Sequence, residues 1–288
     1  MRILITGHKG FVGRYFVEKY QGHDIIGIDI KEGLDCRDFF KQKDGPKIDL
    51  LIHLAAIVGG RQTIENDPLS VATDLAIDSD MVQWALREKP GRVVYFSSSA
   101  AYPTKLQTEE YYLKESDIDL TDVSNPDMTY GWAKLTGEYI LQYLAAEGIR
   151  THIFRPFSGY GTDQDLSYPF PAFISRAKKR EEIFEIWGDG EQVRDFIHIR
   201  DICDATISAI EQDVTGPINL GSGIATSFND LYDMIKNLMP DYKSVPHHIL
   251  SAPVGVQFRC SNNMKMNSFY RTKISLEEGI DMALRDVT

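Results

Sequence analysis

Through the first half of the chain, short apolar runs alternate with longer stretches whose apolar residues recur at helical spacing. Arg2 to Thr6, Asp24 to Asp29, Asp49 to Leu54 and Arg92 to Ser97 read as strands. Between the third and fourth, Asp67-Pro68 opens a long helix that carries Leu69, Val71, Leu75, Val82 and Leu86 and closes near Pro90-Gly91. A second long helix spans Met128 to Ala146 and leads into a strand at Thr151 to Arg155. Strands separated by helices imply right-handed crossovers and a parallel sheet. The segment from Tyr102 to Pro126 reads as a long loop over an active site.

Beyond Arg155 the pattern breaks into Gly- and Pro-containing turns (SGYGTDQDLSYPFP), a helix and a Gly-rich turn with an aromatic residue (WGDGEQ). A helix at about Asp201 to Gln212 and a short strand at Ile218 to Leu220 return to the main sheet. The fold class predicted is α/β, a Rossmann-type doubly wound parallel sheet with a smaller C-terminal substrate lobe. Residues 1–157 with about 201–223 form the main domain, and 158–200 with 224–288 form the lobe.

Gly7, Gly10 and Gly13, in TGHKGFVG, follow the first strand and open a helix. That placement turns backbone N–H groups and a helix N-terminus toward a pyrophosphate. Three glycines alone are also compatible with a structural turn. The context favours a dinucleotide, because Asp29 ends the second strand where a carboxylate accepts hydrogen bonds from an adenosine ribose. Its charge would repel a 2′-phosphate, so the main domain is expected to bind NAD rather than NADP.

Tyr130-Gly-Trp-Ala-Lys134 sets a phenol and an ammonium on one face of a helix. Such a pair by itself often marks a solvated face. Here it accompanies Ser97-Ser98-Ser99 at the carboxyl edge of a parallel sheet, where ligands of such folds bind. A phenol is a poor base at neutral pH, so Lys134 and a positive nicotinamide must favour its phenolate. Tyr130 then takes a hydroxyl proton as hydride leaves for the nicotinamide, and Ser98 steadies the developing carbonyl. Ser97 and Ser99 are alternatives for that serine.

Composition narrows the class of partner. The 288 residues are 43% hydrophobic, enough for a substantial core, and carry a formal net charge of -11. No block of Lys and Arg stands out, which argues against nucleic-acid and membrane-surface binding. Cys36, Cys203 and Cys260 have neither pairing nor zinc-ligand spacing, so no metal is expected and the compartment is expected to be reducing. The chain enters its first strand without a charged leader, and no apolar run reaches membrane-spanning length; a cytoplasmic location is expected.

Taken together, these residues resemble the extended short-chain dehydrogenase/reductases that modify nucleotide sugars, over nearly the whole chain. The matching segments are the glycine loop, His53-Leu-Ala-Ala56, Ser98 four residues before Tyr102, Tyr130 with Lys134, Arg155-Pro-Phe157, and Gly188-Asp-Gly190 followed by Arg194-Asp-Phe-Ile-His198. Within the family the chain is similar to the GDP-mannose 3,5-epimerase and GDP-fucose synthase branch. AAIVGG (Ala55 to Gly60), SSAAYP (Ser98 to Pro103), LKESD (Leu113 to Asp117), FEIWGDG (Phe184 to Gly190) and GVQFRCSNN (Gly255 to Asn263) carry that likeness.

The resemblance implies further roles. Phe11, Val12, Asp35, Cys36, Leu54, Ala55, Ala56, Ser97, Arg155 and Phe157 would join the glycines, Asp29, Tyr130 and Lys134 around NAD. Ser99, Ala100, Tyr130, Ser158 and Tyr168 would face the sugar nucleotide, with Arg194 and Arg259 clamping its diphosphate. Two long helices, about Asp67 to Lys89 and Met128 to Ala146, would pair into an intersubunit bundle and make a homodimer.

Departures from the branch matter as much. Ala100 stands where the branch has a Cys acid/base, Tyr168 or Pro169 where it has a Lys or His, and Ser99-Ala100 where 4,6-dehydratases have Asp-Glu. Ser158 and Asp74 each replace a usual Asn. Without a carbon acid/base, the simplest supported chemistry is epimerisation at C4 through a transient 4-keto sugar. The alternatives are a nucleotide-sugar 3,5-epimerase, a 4-keto reductase, a dehydratase, and a non-catalytic NAD-binding sensor.

Overall fold

The computed structural model describes residues 1–59 and 65–286, so Gly60 of the Ala55 to Gly60 motif lies outside the described residues. The first half runs β1 (Arg2–Thr6), α1 (Phe11–Lys19), β2 (Asp24–Ile28), α2 (Cys36–Lys41), β3 (Leu50–His53), α3 (Pro68–Val71), α4 (Thr73–Glu88) and β4 (Arg92–Phe96). It continues through β5 (Tyr112–Leu113), α5 (Met128–Ala146), β6 (Arg150–Pro156) and β7 (Ser158–Tyr160). Next come α6 (Pro169–Lys178), β8 (Ile183–Trp187), β9 (Val193–His198), α7 (Ile199–Glu211), β10 (Gly216–Leu220), β11 (Ala225–Ser227) and α8 (Phe228–Leu238). The chain closes with β12 (Val245–Ile249), β13 (Phe258–Ser261), α9 (Met264–Asn267) and α10 (Leu276–Arg285).

The main sheet has the order β10-β6-β4-β3-β1-β2, with every pairing parallel. Its strands are apolar on both faces because both are covered. Ile3, Ile5, Leu50, Ile52, Val94 and Phe96 pack toward α1 and α7; the alternate residues Leu4, Leu51, Val93 and Tyr95 pack toward α2, α4 and α5. Period-two alternation thus feeds two cores from one sheet. The reversal of strand order between β1 and β3 opens a crevice at the carboxyl ends, where ligands of doubly wound sheets bind.

A second layer holds the order β11-β9-β13-β5, with β7 also on β9, beside a two-stranded ladder of β12 and β8. Phe173 and Ile174 of α6, Leu231 and Ile235 of α8 and Ile280 of α10 share a third core with Phe184 and Ile186 of β8. Among the described residues no helix is long and apolar enough to cross a membrane.

Two expectations need correction. The helix from Asp67 to Lys89 is two pieces, because Leu75 N–H bonds the Ala72 carbonyl in a tighter i to i+3 turn. Its apolar positions also divide: Val71 and Val82 are buried but Leu69 is 82% and Leu75 40% exposed, whereas Asp74 and Asp78 are 1% exposed. Those carboxylates tolerate the core because cationic and hydroxyl groups face them from other elements. Second, no residue from Tyr102 to Pro126 lines the large cavity. Tyr102 and Leu113 bury themselves against Phe157, with Leu106, Tyr111 and Ile118 around them, so apolar residues draw that segment onto the scaffold.

Candidate active site

The glycine loop is built by what its residues lack. Gly7 has φ +74°, a left-handed conformation favoured by glycine, and its N–H donates to the Ile28 carbonyl at 2.7 Å. A Cβ on Gly13 would overlap the Gly7 carbonyl oxygen and the backbone of His8, so a side chain there would push the loop off the helix. Gly10 caps α1, whose first N–H groups point at the crevice.

Across the loop, Asp29 is 6% exposed, with Oδ2 accepting the Lys9 N–H at 2.8 Å and Oδ1 the Lys31 N–H at 2.9 Å. Each oxygen keeps acceptor capacity for a ribose hydroxyl. The close backbone approach at Gly13 and this fixed carboxylate fit NAD. Nearby, the bound Arg37 guanidinium, 2.6 Å away, holds the Asp35 carboxyl below its usual range. Burial pushes the Cys36 thiol up to about 12, the behaviour of a packing residue; Cys203 and Cys260 are likewise buried and unpaired.

From the glycine loop a cavity of about 1350 Å³ extends to the second layer. It gathers every residue the sequence placed near cofactor or substrate except Arg155. Gly7, Gly10, Phe11, Val12, Gly13, Asp29, Asp35 and Cys36 line one end. Leu54, Ala55, Ala56, Ser97, Ser98, Tyr130, Lys134 and Phe157 line the middle, and Ser99, Ala100, Ser158, Tyr168, Arg194 and Arg259 border the remainder.

Ser98 ends the segment after β4, and its Oγ accepts the Ala100 N–H at 3.0 Å. It also hydrogen-bonds Tyr130 on α5, one turn before Lys134. The Lys134 ammonium sits 5.8 Å from the Tyr130 ring centroid and 5.4 Å from that of Tyr95. Burial pushes the Tyr130 phenol above its ordinary pKa, and Lys134 and Ser98 only partly offset this. Lys134 alone does not yield the phenolate, which the sequence reading assigned to Lys134 together with a positive nicotinamide; in the protein alone, desolvation of the phenol outweighs the ammonium. Burial would also neutralise Lys134, but Tyr130, Asp78 and Asp74 together hold the ammonium above its usual value.

Arg155 is the placement that departs from expectation. Its side chain is 1% exposed and lies outside the cavity, with Nη2 2.6 Å from Glu138 Oε2 and Nη1 donating to Tyr102 Oη at 3.0 Å. Glu138, one turn beyond Lys134 on α5, also accepts the Ser97 hydroxyl, so that serine is committed to the wall. Neither role was legible, because a buried charge makes sense only once its partner is known.

The two other arginines do reach the cavity. Arg194 Nη1 donates to the carbonyls of Val193 and Val256 at 2.7 and 2.9 Å, and Nη2 to that of Val254 at 2.9 Å. Arg259 is held by Gln107 Oε1 at 2.5 Å and Asp127 Oδ2 at 2.7 Å. Tyr168 caps α6, and burial first, then the charge Tyr130 carries whenever it is a phenolate, pushes its phenol pKa up. Sequence reasoning passed over Arg176, Glu185 and Trp187, which also line the cavity. The alternation along β8 was the available signal, since Phe184 and Ile186 point into the core and leave Glu185 and Trp187 on the opposite face.

Comparison with known proteins agrees with this geometry. A family model described as NAD dependent epimerase/dehydratase family matches residues 3–221. The chain is 28% identical over 309 aligned residues to GDP-mannose 3,5-epimerase of Arabidopsis thaliana, covering 97% of this chain and 80% of that one. It is 26% identical to GDP-L-colitose synthase of Yersinia pseudotuberculosis, covering 97% and 96%. In fold it is similar to UDP-glucose 4-epimerase of Thermotoga maritima, with a TM-score of 0.84, 23% identity and coverage of 99% and 97%.

Proposed function

The chain belongs to the NAD-dependent epimerase/dehydratase family, with NAD as its cofactor, and on that premise we propose that it epimerises a nucleotide-diphosphate sugar at C4 through a transient 4-keto intermediate. NAD, when bound, accepts a hydride and returns it. Residues 1–157 with about 201–223 hold it, and 158–200 with 224–288 hold the sugar nucleotide. Gly7 to Gly13 face the pyrophosphate and Asp29 the ribose. Tyr130 takes the C4 hydroxyl proton and later restores it, Lys134 lowers the cost of the phenolate, and Ser98 donates to the oxygen as it becomes a carbonyl. The sugar turns between the two half-reactions, so the opposite face receives the hydride.

The observation that carries this reading is Ala100. It lines the cavity one residue past Ser99, at the position where the branch the chain resembles has a Cys acid/base for carbon-acid chemistry. Tyr130, Lys134 and Ser98 suffice for hydride chemistry at C4 but not for proton abstraction at C3 or C5. Net 4-keto reduction ranks below it, because Asp29 disfavours the 2′-phosphate of NADPH. Loss of water would need the acidic pair that Ser99 and Ala100 replace. A regulatory NAD sensor would have no use for the buried ammonium beside Tyr130.

The nucleotide we propose is GDP. Relatives that include GDP-mannose 3,5-epimerase and GDP-L-colitose synthase point that way, and so does Glu185 in the cavity wall. A carboxylate accepts from the two donors on the guanine edge, whereas uracil presents carbonyl oxygens beside its single donor. A homodimer through α4 and α5 is proposed from their exposed apolar residues, Leu75, Trp132, Tyr139 and Tyr143. The direct test adds GDP- and UDP-hexoses to the NAD-loaded protein and records reduced-nicotinamide absorbance. Partial, reversible reduction with a GDP-hexose supports the proposal; no response to any sugar nucleotide favours the sensor.

A further inference from the structure

Behind the catalytic pair lies a buried set of ionisable groups that the C4 chemistry does not itself require. Asp74 and Asp78 stand one turn apart on the inner face of α4, each 1% exposed. Facing them are Lys134, Tyr130 and Glu138 from α5, His53 from β3 and Tyr95 from β4. Asp78 is fully engaged: Oδ2 accepts from Tyr95 Oη at 2.6 Å and Oδ1 lies 3.2 Å from His53 Nε2. Asp74 is not. Its Oδ1 accepts the Ile57 N–H at 2.6 Å, which pins the cavity-lining segment after β3. Among the described residues its Oδ2 is buried without a hydrogen-bond partner.

A buried carboxylate with one oxygen unsatisfied is costly, and an amide would keep the Ile57 bond without the charge. Asp74 and Tyr130 share Lys134 as a counter-charge: the ammonium favours both anions, and each anion disfavours the other. Asp78 also draws on Lys134 and disfavours the Tyr130 phenolate, but the Tyr95 hydroxyl and His53 occupy its two oxygens and leave it no room for a proton. His53 is tied between Thr6 Oγ1 at 2.8 Å and Asp78, and Glu138 is paired with Arg155. Asp74 is thus the group in this set with room on its carboxylate for a proton.

We infer that Asp74 is a positioning residue for the catalytic phenol: its ionised carboxylate draws on Lys134 and adds to burial in keeping Tyr130 protonated, and neutralising it frees Lys134 to favour the phenolate. The inference rests on Tyr130 being the base. Its consequence is an enzyme whose resting phenol is held back and whose working pH range depends on a residue outside the cavity.

The test uses NAD-loaded protein labelled with [ζ-¹³C]tyrosine, the Tyr130 signal being identified by its loss in Tyr130→Phe. In Asp74→Asn the Tyr130 titration moves down by about one pH unit relative to wild type, and the rising limb of the kcat profile moves with it. Asp74→Ala, also neutral but without the Ile57 bond, shows the same direction of shift; if Asp74→Asn does not fold, this variant decides. An unmoved Tyr130 midpoint in the neutral variants overturns the inference while leaving the proposed base in place. Full turnover in Tyr130→Phe would instead remove the base itself, and the two failures are distinguishable.

Discussion

Arg155 and Glu138 form a bidentate ion pair, Nη2 to Oε2 at 2.6 Å and Nε to Oε1 at 2.9 Å, with both side chains 1% exposed. The pair ties β6 to α5 directly beneath Ser97, so the helix carrying Tyr130 is fastened to the sheet by charge as well as by packing. Replacing Glu138 with Gln strands the guanidinium in the core and should cost about 3–5 kcal/mol in urea unfolding. Because Arg155 lies outside the cavity, NAD affinity of the folded variant should be unchanged. A selective loss of NAD binding would restore Arg155 as a cofactor contact.

Asp29 gives a prediction of the opposite kind. Asp29→Asn keeps an acceptor for Lys9 or Lys31 but loses the charged acceptor for a ribose, so NAD should bind about tenfold more weakly by calorimetry. NADP, relieved of repulsion, should lose less or gain. Equal losses for both would show that the carboxylate does not discriminate at the 2′ position.

Asp74 makes stability depend on pH with a definite sign. Burial first raises its carboxyl from 3.8 to about 6, against the favourable influence of Lys134 and the Ile57 N–H. A folded-state pKa above the unfolded one means the native state holds the proton more tightly, so this group's contribution is present below pH 4 and is lost as pH rises to about 6. Asp74→Asn should therefore stabilise the protein at pH 7, on the order of 2–3 kcal/mol, and change little at pH 4. Equal melting shifts at both pH values would contradict the assignment.

The strands and their alternation were legible because the two-residue and 3.6-residue periods are local properties of a sequence. Gly7 to Gly13, Asp29, Ser98, Tyr130 and Lys134 were legible for a related reason, since each sits at a fixed offset from a strand end or helix start. Asp74, Asp78 and Glu138 were not. Charged residues at core-facing positions read as solvated until Lys134, His53, Tyr95 and Arg155 are brought beside them by the fold. Nor does helical spacing say which apolar positions stay outside: Leu69 and Leu75 are exposed, whereas Val71 and Val82 are buried.

Exposure of those apolar residues leads to a test of assembly. Tyr139 and Tyr143, with ring centroids 6.4 Å apart in edge-to-face contact, are 47% and 56% exposed on α5. Light scattering should give a dimeric mass for the wild type, and the double variant Tyr139→Glu with Tyr143→Glu should fall to a monomer with its fold intact. A monomeric wild type at micromolar concentration would contradict the proposed pairing of α4 and α5.

The route of proton and hydride is decided most directly by incubating the NAD-loaded enzyme with a GDP-hexose in deuterated water and reading the product by NMR. The account predicts inversion at C4 with no deuterium on any ring carbon, because the hydride that leaves C4 is the one that comes back. Deuterium at C3 or C5 would contradict it and show that a base other than Tyr130 attacks the sugar carbons.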